Sequence, residues 1–165
     1  MTLIERSFWE TLDDPHPAGD KVWGTAYRIE ASKVAEVRDY LDIREINGYT
    51  IHYTPFHPAD GSQSIKTLVY IGTPDNEQFV GRQDPQKLAE HIHKSEGPSG
   101  LNKEYLWNLE AALDELSAES SDDHVKDLSD RARRVEKQVS NQDLQQNGHS
   151  HDGHSGQDEI EETEK

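Results

Sequence analysis

The sequence of 165 residues contains no cysteine, which removes several kinds of site from consideration. Disulfide bridges, thiolate nucleophiles and cysteine-based zinc sites are excluded, because each of them requires a thiol. Apolar runs are also short, and none approaches the roughly 18–20 residues that a membrane-spanning helix needs. The N-terminal stretch lacks the apolar core of a signal peptide and carries an acid at Glu5. We therefore expect a soluble, cytoplasmic protein.

Basic residues are scarce as well, with 17 lysines and arginines against 33 aspartates and glutamates, which gives a net charge of -16. Nucleic acids and anionic membranes both require a basic surface, so neither is expected as the main partner. Hydrophobic residues make up 32% of the chain, which is low for a wholly globular protein. This composition indicates a compact apolar part that is diluted by a polar segment.

The polar segment lies at the C-terminus. Its only large apolar residues are Leu144 and Ile160, so it cannot bury enough surface to offset the entropy of ordering. We predict one domain over residues 1–140 and a disordered acidic tail over residues 141–165. Three histidines in this tail could bind a divalent ion weakly: His149, His151 and His154. Incidental chelation by a polar tail is the interpretation we adopt, and no metal site is predicted.

Hydrophobic periodicity predicts the element order β, β, α, β, β, α, α, α ahead of the tail. Strands are expected as a fragment within residues 1–9 and then at 21–29, 49–54 and 66–73, with turn-forming residues between the first two. The helices are expected to begin at Ser32, at Asp84 with Pro85, at Asn102 and at Asp123. The last of them is predicted to end near Gln138.

An isolated carboxylate, Glu45, lies where the first long helix ends and the next strand approaches. The negative end of the helix dipole and the nearby Asp42 both favour the protonated carboxyl, as general acid–base work near neutral pH requires. Arg44 cancels part of this effect. On these grounds alone, Glu45 is either a solvated surface residue or an acid–base group, and a more specific signal is needed to decide.

Two tyrosines accompany this carboxylate. Tyr49 begins the strand that follows Glu45, and Tyr105 lies in the first turn of the longest apolar helix, just after the loop Gly97–Gly100. Each tyrosine is either an aromatic at the edge of the core, with its hydroxyl in water, or a residue that lines a binding pocket.

Four sequence blocks resemble the ChaC-like γ-glutamylcyclotransferases, and they occur in that family's order and spacing over roughly residues 20–130. The blocks are VWGTAYR at 22–28, YLDIREINGY at 40–49, VYIGTPDN at 69–76 and GPSGLNKEYL at 97–106. The resemblance implies an α+β fold, the small mixed β-barrel of the γ-glutamylcyclotransferase-like class with helices packed around it.

The resemblance also implies an activity, the cleavage of glutathione to 5-oxoproline and cysteinylglycine without any cofactor. In that reaction the α-amine of the substrate attacks its own γ-carbonyl, so the enzyme must fold the substrate back and move one proton. The catalytic glutamate of the family falls on Glu45. Tyr49 and Tyr105 fall on positions that line the substrate pocket in the wider fold. Glutathione is thus the expected partner, and the oligomeric state stays open.

One feature of the family is missing from this sequence. Members begin with a strand that carries a Tyr-Gly-Ser-Leu loop, whose backbone amides hold the γ-glutamyl carboxylate and amine, and no such motif occurs here. We therefore expect a chain that lacks the first strand and half of the binding site, and that leaves a sheet edge open. The alternative function is a catalytically dead, truncated isoform that acts as a binding or regulatory protein.

Removal of residues 141–165 is expected to leave the melting temperature nearly unchanged, because this segment contributes almost no apolar surface to a core. Thermal unfolding of the full-length and shortened chains checks the expectation. A large drop in melting temperature on removal would contradict it.

Overall fold

A computed structural model describes residues 2–12, 14–45, 49–76 and 81–148 of the chain. The helices are α1 (Arg6–Trp9), α2 (Val34–Arg44), α3 (Pro85–Lys94), α4 (Asn102–Leu116) and α5 (Asp123–Gly148). The strands are β1 (Tyr49–Phe56), β2 (Ile65–Gly72), β3 (Glu96–Gly97) and β4 (Gly100–Leu101). None of the described helices is long and apolar enough to cross a membrane.

The hydrophobic core lies where α3 and α4 pack against α5. Apolar residues recur at helical spacing on α5, and four of them are at least 94% buried: Val125, Leu128, Ala132 and Val135. Leu106 of α4 is 1% exposed and packs with this face, as do Leu88 and Ile92 of α3. The apolar stripe of α5 forms the centre of the core, because it is wide enough to contact two helices at once.

Of the four predicted helix starts, those at Asp84 and Asp123 are right, and the caps expected at Ser32 and Asn102 are displaced. Asp84 caps α3, because its carboxylate accepts a hydrogen bond of 2.9 Å from the backbone N–H of Lys87, and Pro85 follows at the first helical position. Asn102 is the first residue of α4 rather than its cap, since the cap position is Leu101. Ser32 lies inside a short 3₁₀ turn that precedes α2, so its side chain does not cap that helix.

Strands β1 and β2 form an antiparallel hairpin whose register runs from Tyr49 opposite Gly72 to Phe56 opposite Ile65. The strand predicted at 49–54 is confirmed and extends two residues further, because Pro55 keeps a place in the pairing as a residue of an edge strand. In the connecting loop, Gly61 adopts a φ of 75°, a conformation that glycine reaches without steric cost.

The N-terminal residues join this hairpin. Leu3 pairs in parallel with Ile71, and the backbone N–H of Gly72 donates a hydrogen bond of 2.8 Å to the Leu3 carbonyl. The predicted strand fragment within residues 1–9 is therefore confirmed at Leu3, although α1 follows it immediately. The side chain of Thr2 lies 3.1 Å from the place that a Cβ on Gly72 would occupy, so glycine permits this close approach.

The strand predicted at 21–29 is wrong, because these residues are irregular in the structure. The side chain of Val22 is 74% exposed and that of Tyr27 is 83% exposed. A strand is stabilised by hydrogen bonds to a neighbouring strand, and none of the described strands pairs with this segment. High β-propensity does not replace a missing partner.

The α+β class is confirmed, because the chain combines helices with antiparallel strand pairs. Among the described residues, the expected small mixed β-barrel is represented by the β1–β2 hairpin, the Leu3 bridge and the short β3–β4 pair. The boundary predicted at residue 141 falls inside α5, which continues to Gly148. Residues 149–165, including the tail histidines, lie outside the described part of the chain.

Substitution of Leu128 by alanine is expected to lower the free energy of unfolding by about 2–5 kcal/mol, because a cavity would remain between three helices. The matched control is Leu116→Ala near the end of α4, where the side chain is 43% exposed and a loss of about 1 kcal/mol or less is expected. Urea-induced unfolding measures both changes. Equal losses at the two positions would contradict this account of the core.

Candidate active site

Glu45 lies directly after the last residue of α2, and its backbone N–H still donates a hydrogen bond of 2.7 Å to the Leu41 carbonyl. The Glu45 side chain is only 23% exposed, whereas that of Arg44 is 65% exposed. The Nε atom of Arg44 lies 3.7 Å from Oε1 of Glu45. The Glu45 side chain is thus largely shielded from solvent, with the Arg44 guanidinium beside it, whereas the sequence had left a solvated surface residue as one of two alternatives.

Tyr49 is the first residue of β1 and lies directly opposite Gly72. Side chains alternate between the two faces of a hairpin, so the register puts two sets of residues on one face, which we call the tyrosine face. From β1 they are Tyr49, Ile51 and Tyr53, and from β2 they are Leu68, Tyr70 and Gly72.

Acidic residues at the C-terminal end of α2 affect the pKa of Tyr70 on this tyrosine face. Burial raises the pKa of Tyr70 above its usual value, and the negative charges of Asp42 and Glu45 raise it further. The Glu45 carboxylate is therefore close enough to the Tyr70 phenol for the two groups to interact electrostatically. Tyr70 was not singled out from the sequence, because only the strand register and the placement of α2 reveal this proximity.

Tyr105 projects from the first turn of α4, and its side chain is 56% exposed. It borders two depressions of the surface, a cleft of about 840 Å³ and a smaller one of about 340 Å³ beside the loop Gly97–Gly100. Asn102 also borders both of them.

The larger cleft lies between the N-terminal segment and helices α3, α4 and α5. Its apolar lining includes Trp9, Leu12, Leu88, Ile92, Leu106 and Leu128. Polar groups that open onto it include Asp14, Asp84, Asn102 and His124. A mostly apolar cleft with a few polar groups is the usual form of a small-molecule site.

One wall of this cleft, formed by residues 9–12 and 14–16, is held on α5 by aromatic and charged side chains. Nδ1 of His124 lies 3.0 Å from the Asp14 carboxylate, and the His124 ring stands edge-on to Trp9 at 4.9 Å. The indole N–H of Trp9 donates a hydrogen bond of 3.1 Å to the His16 carbonyl. Sequence patterns indicated only turns here, because His124 lies more than a hundred positions from Asp14 and Trp9.

The three residues singled out from the sequence fall into two groups. Glu45 and Tyr49 lie at one end of the hairpin, and neither is among the described residues that line the larger cleft, whereas Tyr105 is. Thr2 connects the groups, because it lines that cleft and also contacts Gly72, the cross-strand partner of Tyr49. Of the three residues, therefore, Tyr105 alone borders the larger cleft, and Tyr49 is related to it through Gly72 and Thr2.

No group of three or more histidine or acidic side chains in the described part of the chain is arranged to hold a metal ion. The polar groups of the site are instead carboxylates, phenols, an amide and an imidazole, which act as hydrogen-bond donors and acceptors and as proton carriers. Such an arrangement suits proton transfer and the binding of a small polar molecule.

Residues 1–135 match the model of a protein family described as ChaC-like protein. The chain is similar to the glutathione-specific γ-glutamylcyclotransferase of Schizosaccharomyces pombe, with 38% identity over 139 residues, 81% of this chain and 68% of the relative. It is also similar to the enzyme of the same name from Saccharomyces cerevisiae, with 40% identity over 114 residues, 56% of this chain and 49% of the relative.

A solved structure of a glutathione-specific γ-glutamyl cyclotransferase from yeast has a similar fold, with a TM-score of 0.57 and 35% sequence identity. The match covers 64% of this chain and 56% of that chain. The γ-glutamylcyclotransferase-like fold expected from the sequence is thereby confirmed. Across these three proteins, the matched part of this chain spans between 49% and 68% of the relative's length.

The attachment of this wall of the cleft, residues 9–12 and 14–16, to α5 is expected to weaken at acid pH. Although burial alone raises the pKa of Asp127, hydrogen bonds from Arg131 and His16 lower it below the ordinary value of 3.8. A carboxylate with a lowered pKa in the folded state adds stability that is present above the unfolded value and is lost as the pH falls through the folded one.

In Asp127→Asn, therefore, stability should decline less steeply as the pH is lowered from about 5. Asp130→Asn, on the same helix with a side chain that is 52% exposed, serves as the control and should follow the unsubstituted chain. Denaturant unfolding at a series of pH values measures the slopes. Parallel slopes for Asp127→Asn and the unsubstituted chain would exclude this contribution.

Proposed function

Because the chain belongs to the ChaC-like protein family, we propose that it is a γ-glutamylcyclotransferase that acts on glutathione. The observation that carries the proposal is the 38% identity over 139 residues to a relative that bears this activity in its name. The half-buried Glu45, which lies shortly before the strand that begins at Tyr49, supports it, because the reaction requires a shielded carboxylate that can exchange a proton.

The proposed reaction is an intramolecular aminolysis. The α-amine nitrogen of the γ-glutamyl group bonds to the γ-carbonyl carbon, and the amide bond from that carbon to the cysteine nitrogen breaks. One proton leaves the attacking amine and one proton reaches the departing cysteine amine, so no water is consumed. The products are 5-oxoproline and cysteinylglycine. Holding the substrate in its folded-back form supplies much of the rate, since well-oriented intramolecular reactions gain roughly 7–11 kcal/mol.

We assign the proton transfers to Glu45, acting first as general base and then as general acid. Its carboxylate is 23% exposed, so it is shielded enough to favour proton exchange with a bound substrate over exchange with bulk water. The guanidinium of Arg44 at 3.7 Å stabilises the charged carboxylate between turnovers. No residue has to act as a nucleophile, which agrees with a sequence that contains no cysteine.

Tyr49 and Tyr105 are proposed to bind the substrate. Tyr49 begins the strand that follows Glu45, so its ring can flank the γ-glutamyl group next to the carboxylate. Tyr105 borders the larger cleft, where its phenol can contact the remainder of the tripeptide. A cytoplasmic location forms part of the proposal, because glutathione maintains the reducing state of that compartment. The alternative of a non-enzymatic binding protein has no support among the similar proteins.

Glu45→Gln is expected to lower kcat for glutathione by about 10²–10⁴-fold, because glutamine cannot carry a proton. The assay detects cysteinylglycine released by the purified chain. Glu36→Gln provides the matched control, since Glu36 lies in the first turn of the same helix with a side chain that is 71% exposed. This control is expected to keep the activity of the unsubstituted chain.

A chain that releases no cysteinylglycine above the Glu45→Gln level would refute the proposed function. Equal loss of activity in Glu45→Gln and Glu36→Gln would refute the assignment of Glu45. Parallel incubation with a γ-glutamyl amino acid tests the substrate class. Faster turnover of that compound than of glutathione would contradict specificity for glutathione.

A further inference from the structure

Asp14 and His124 form a close polar pair in the wall of the larger cleft, and both residues line it. Nδ1 of His124 lies 3.0 Å from Oδ2 of Asp14, whose other oxygen, Oδ1, accepts a hydrogen bond of 2.9 Å from the backbone N–H of His16. The side chains of His124 and Asp14 are 23% and 14% exposed, respectively. Asp14 is thus fixed by its own loop and in turn fixes the orientation of the His124 ring.

The His124 ring is restrained by two further contacts. The Trp9 indole stands edge-on to it, with the ring centroids 4.9 Å apart. The backbone of His124 belongs to the first turn of α5, where the Asp122 carboxylate accepts a hydrogen bond of 2.9 Å from the backbone N–H of Val125. Because Nδ1 is directed at Asp14, Nε2 is the ring nitrogen that remains to interact with a ligand in the cleft.

From this arrangement we propose that His124 is a specificity-determining residue, whose Nε2 binds the thiol of the cysteine residue of glutathione in the larger cleft. The inference rests on the proposed function, in which the cysteinylglycine half of the substrate lies beside Tyr105 in this cleft. A cysteine side chain is a short apolar group that ends in a weak hydrogen-bond donor. The apolar lining, which includes Leu88 and Leu106, suits its methylene group, and a single imidazole suits its sulfur.

An imidazole and a thiol are complementary in either protonation state. A neutral Nε2 accepts a hydrogen bond from the S–H group, and a protonated Nε2 donates one to the thiolate, so the pair shares one proton in both cases. Asp14 is the carboxylate beside the ring. The ring of His16 lies 6.0 Å from that of His124, and its Nε2 lies 3.4 Å from the Asp127 carboxylate. His16 is not among the described residues that line the cleft, so it provides a matched control.

A substrate without the thiol tests the proposal. In γ-glutamyl-2-aminobutyryl-glycine a methyl group replaces the thiol, and both compounds release 5-oxoproline, which the assay measures. In the unsubstituted chain, kcat/KM is expected to be on the order of tenfold higher for glutathione than for this analogue. His124→Phe keeps an aromatic ring beside Trp9 and should make the two values nearly equal, whereas His16→Phe should keep the preference. Because each ratio is taken within one protein, partial unfolding of a variant cancels.

A second measurement does not depend on turnover. Glu45→Gln is titrated with glutathione and with the thiol-free analogue, while nuclear magnetic resonance follows the ring protons of the nine histidines. Addition of His124→Phe to this variant identifies the resonance of His124. Glutathione should shift that resonance, and the analogue should shift it much less, because it lacks the group that interacts with Nε2.

Equal shifts of the His124 resonance by the two compounds, or no shift by either, would overturn the inference, whatever the activity of the chain. An undiminished preference for glutathione in His124→Phe would overturn it as well. Failure of the proposed function has a different signature, namely an unsubstituted chain that releases 5-oxoproline from neither compound. The titration then still decides whether His124 binds the thiol.

Discussion

The packing of α3 and α4 against the apolar face of α5 is the constraint on which the rest of the structure depends. Every fully buried apolar side chain of the described residues belongs to these three helices, with Leu106, Leu128 and Ala132 at the centre. Polar contacts at the edge of the core connect the same three helices. His93 and Lys103 both donate to Glu136, at 2.5 and 2.6 Å, and thereby lower its pKa and join all three helices. The cleft exists because the N-terminal segment lies across this bundle without filling it.

The hairpin that carries Tyr49 and Tyr70 depends on this bundle only indirectly. The N-terminal strand fragment attaches the hairpin to the rest of the molecule. Leu3 pairs with Ile71, and Thr2 faces both Gly72 and the cleft. Two-stranded hairpins are only marginally stable by themselves, so this short contact has a large effect on the geometry of the site. The hairpin and the cleft that contains Tyr105 are thus linked through Thr2 and Leu3.

Much of the helical half could be predicted from residues in order along the chain. The cap at Asp84, the proline after it and the apolar stripe of α5 are local signals, and local hydrogen bonds and a repeating apolar face produce them. The prediction of a strand at 21–29 was wrong because a strand depends on contacts that are not local. Val22 and Tyr27 have the residue types of a strand, yet a strand also needs a neighbour, and sequence spacing contains no information about whether one is present.

The sequence alone determined the family, the fold class and the candidate role of Glu45, because these depend on residue types in a fixed order. Only the tertiary structure joined Asp14 and His124 across the wall of the cleft, and only it showed that Tyr105 borders this cleft whereas Tyr49 does not. These relations arise from strand register and helix packing, which bring distant residues together. A carboxylate acquires its chemistry from such neighbours, and neighbours in space are a property of the fold.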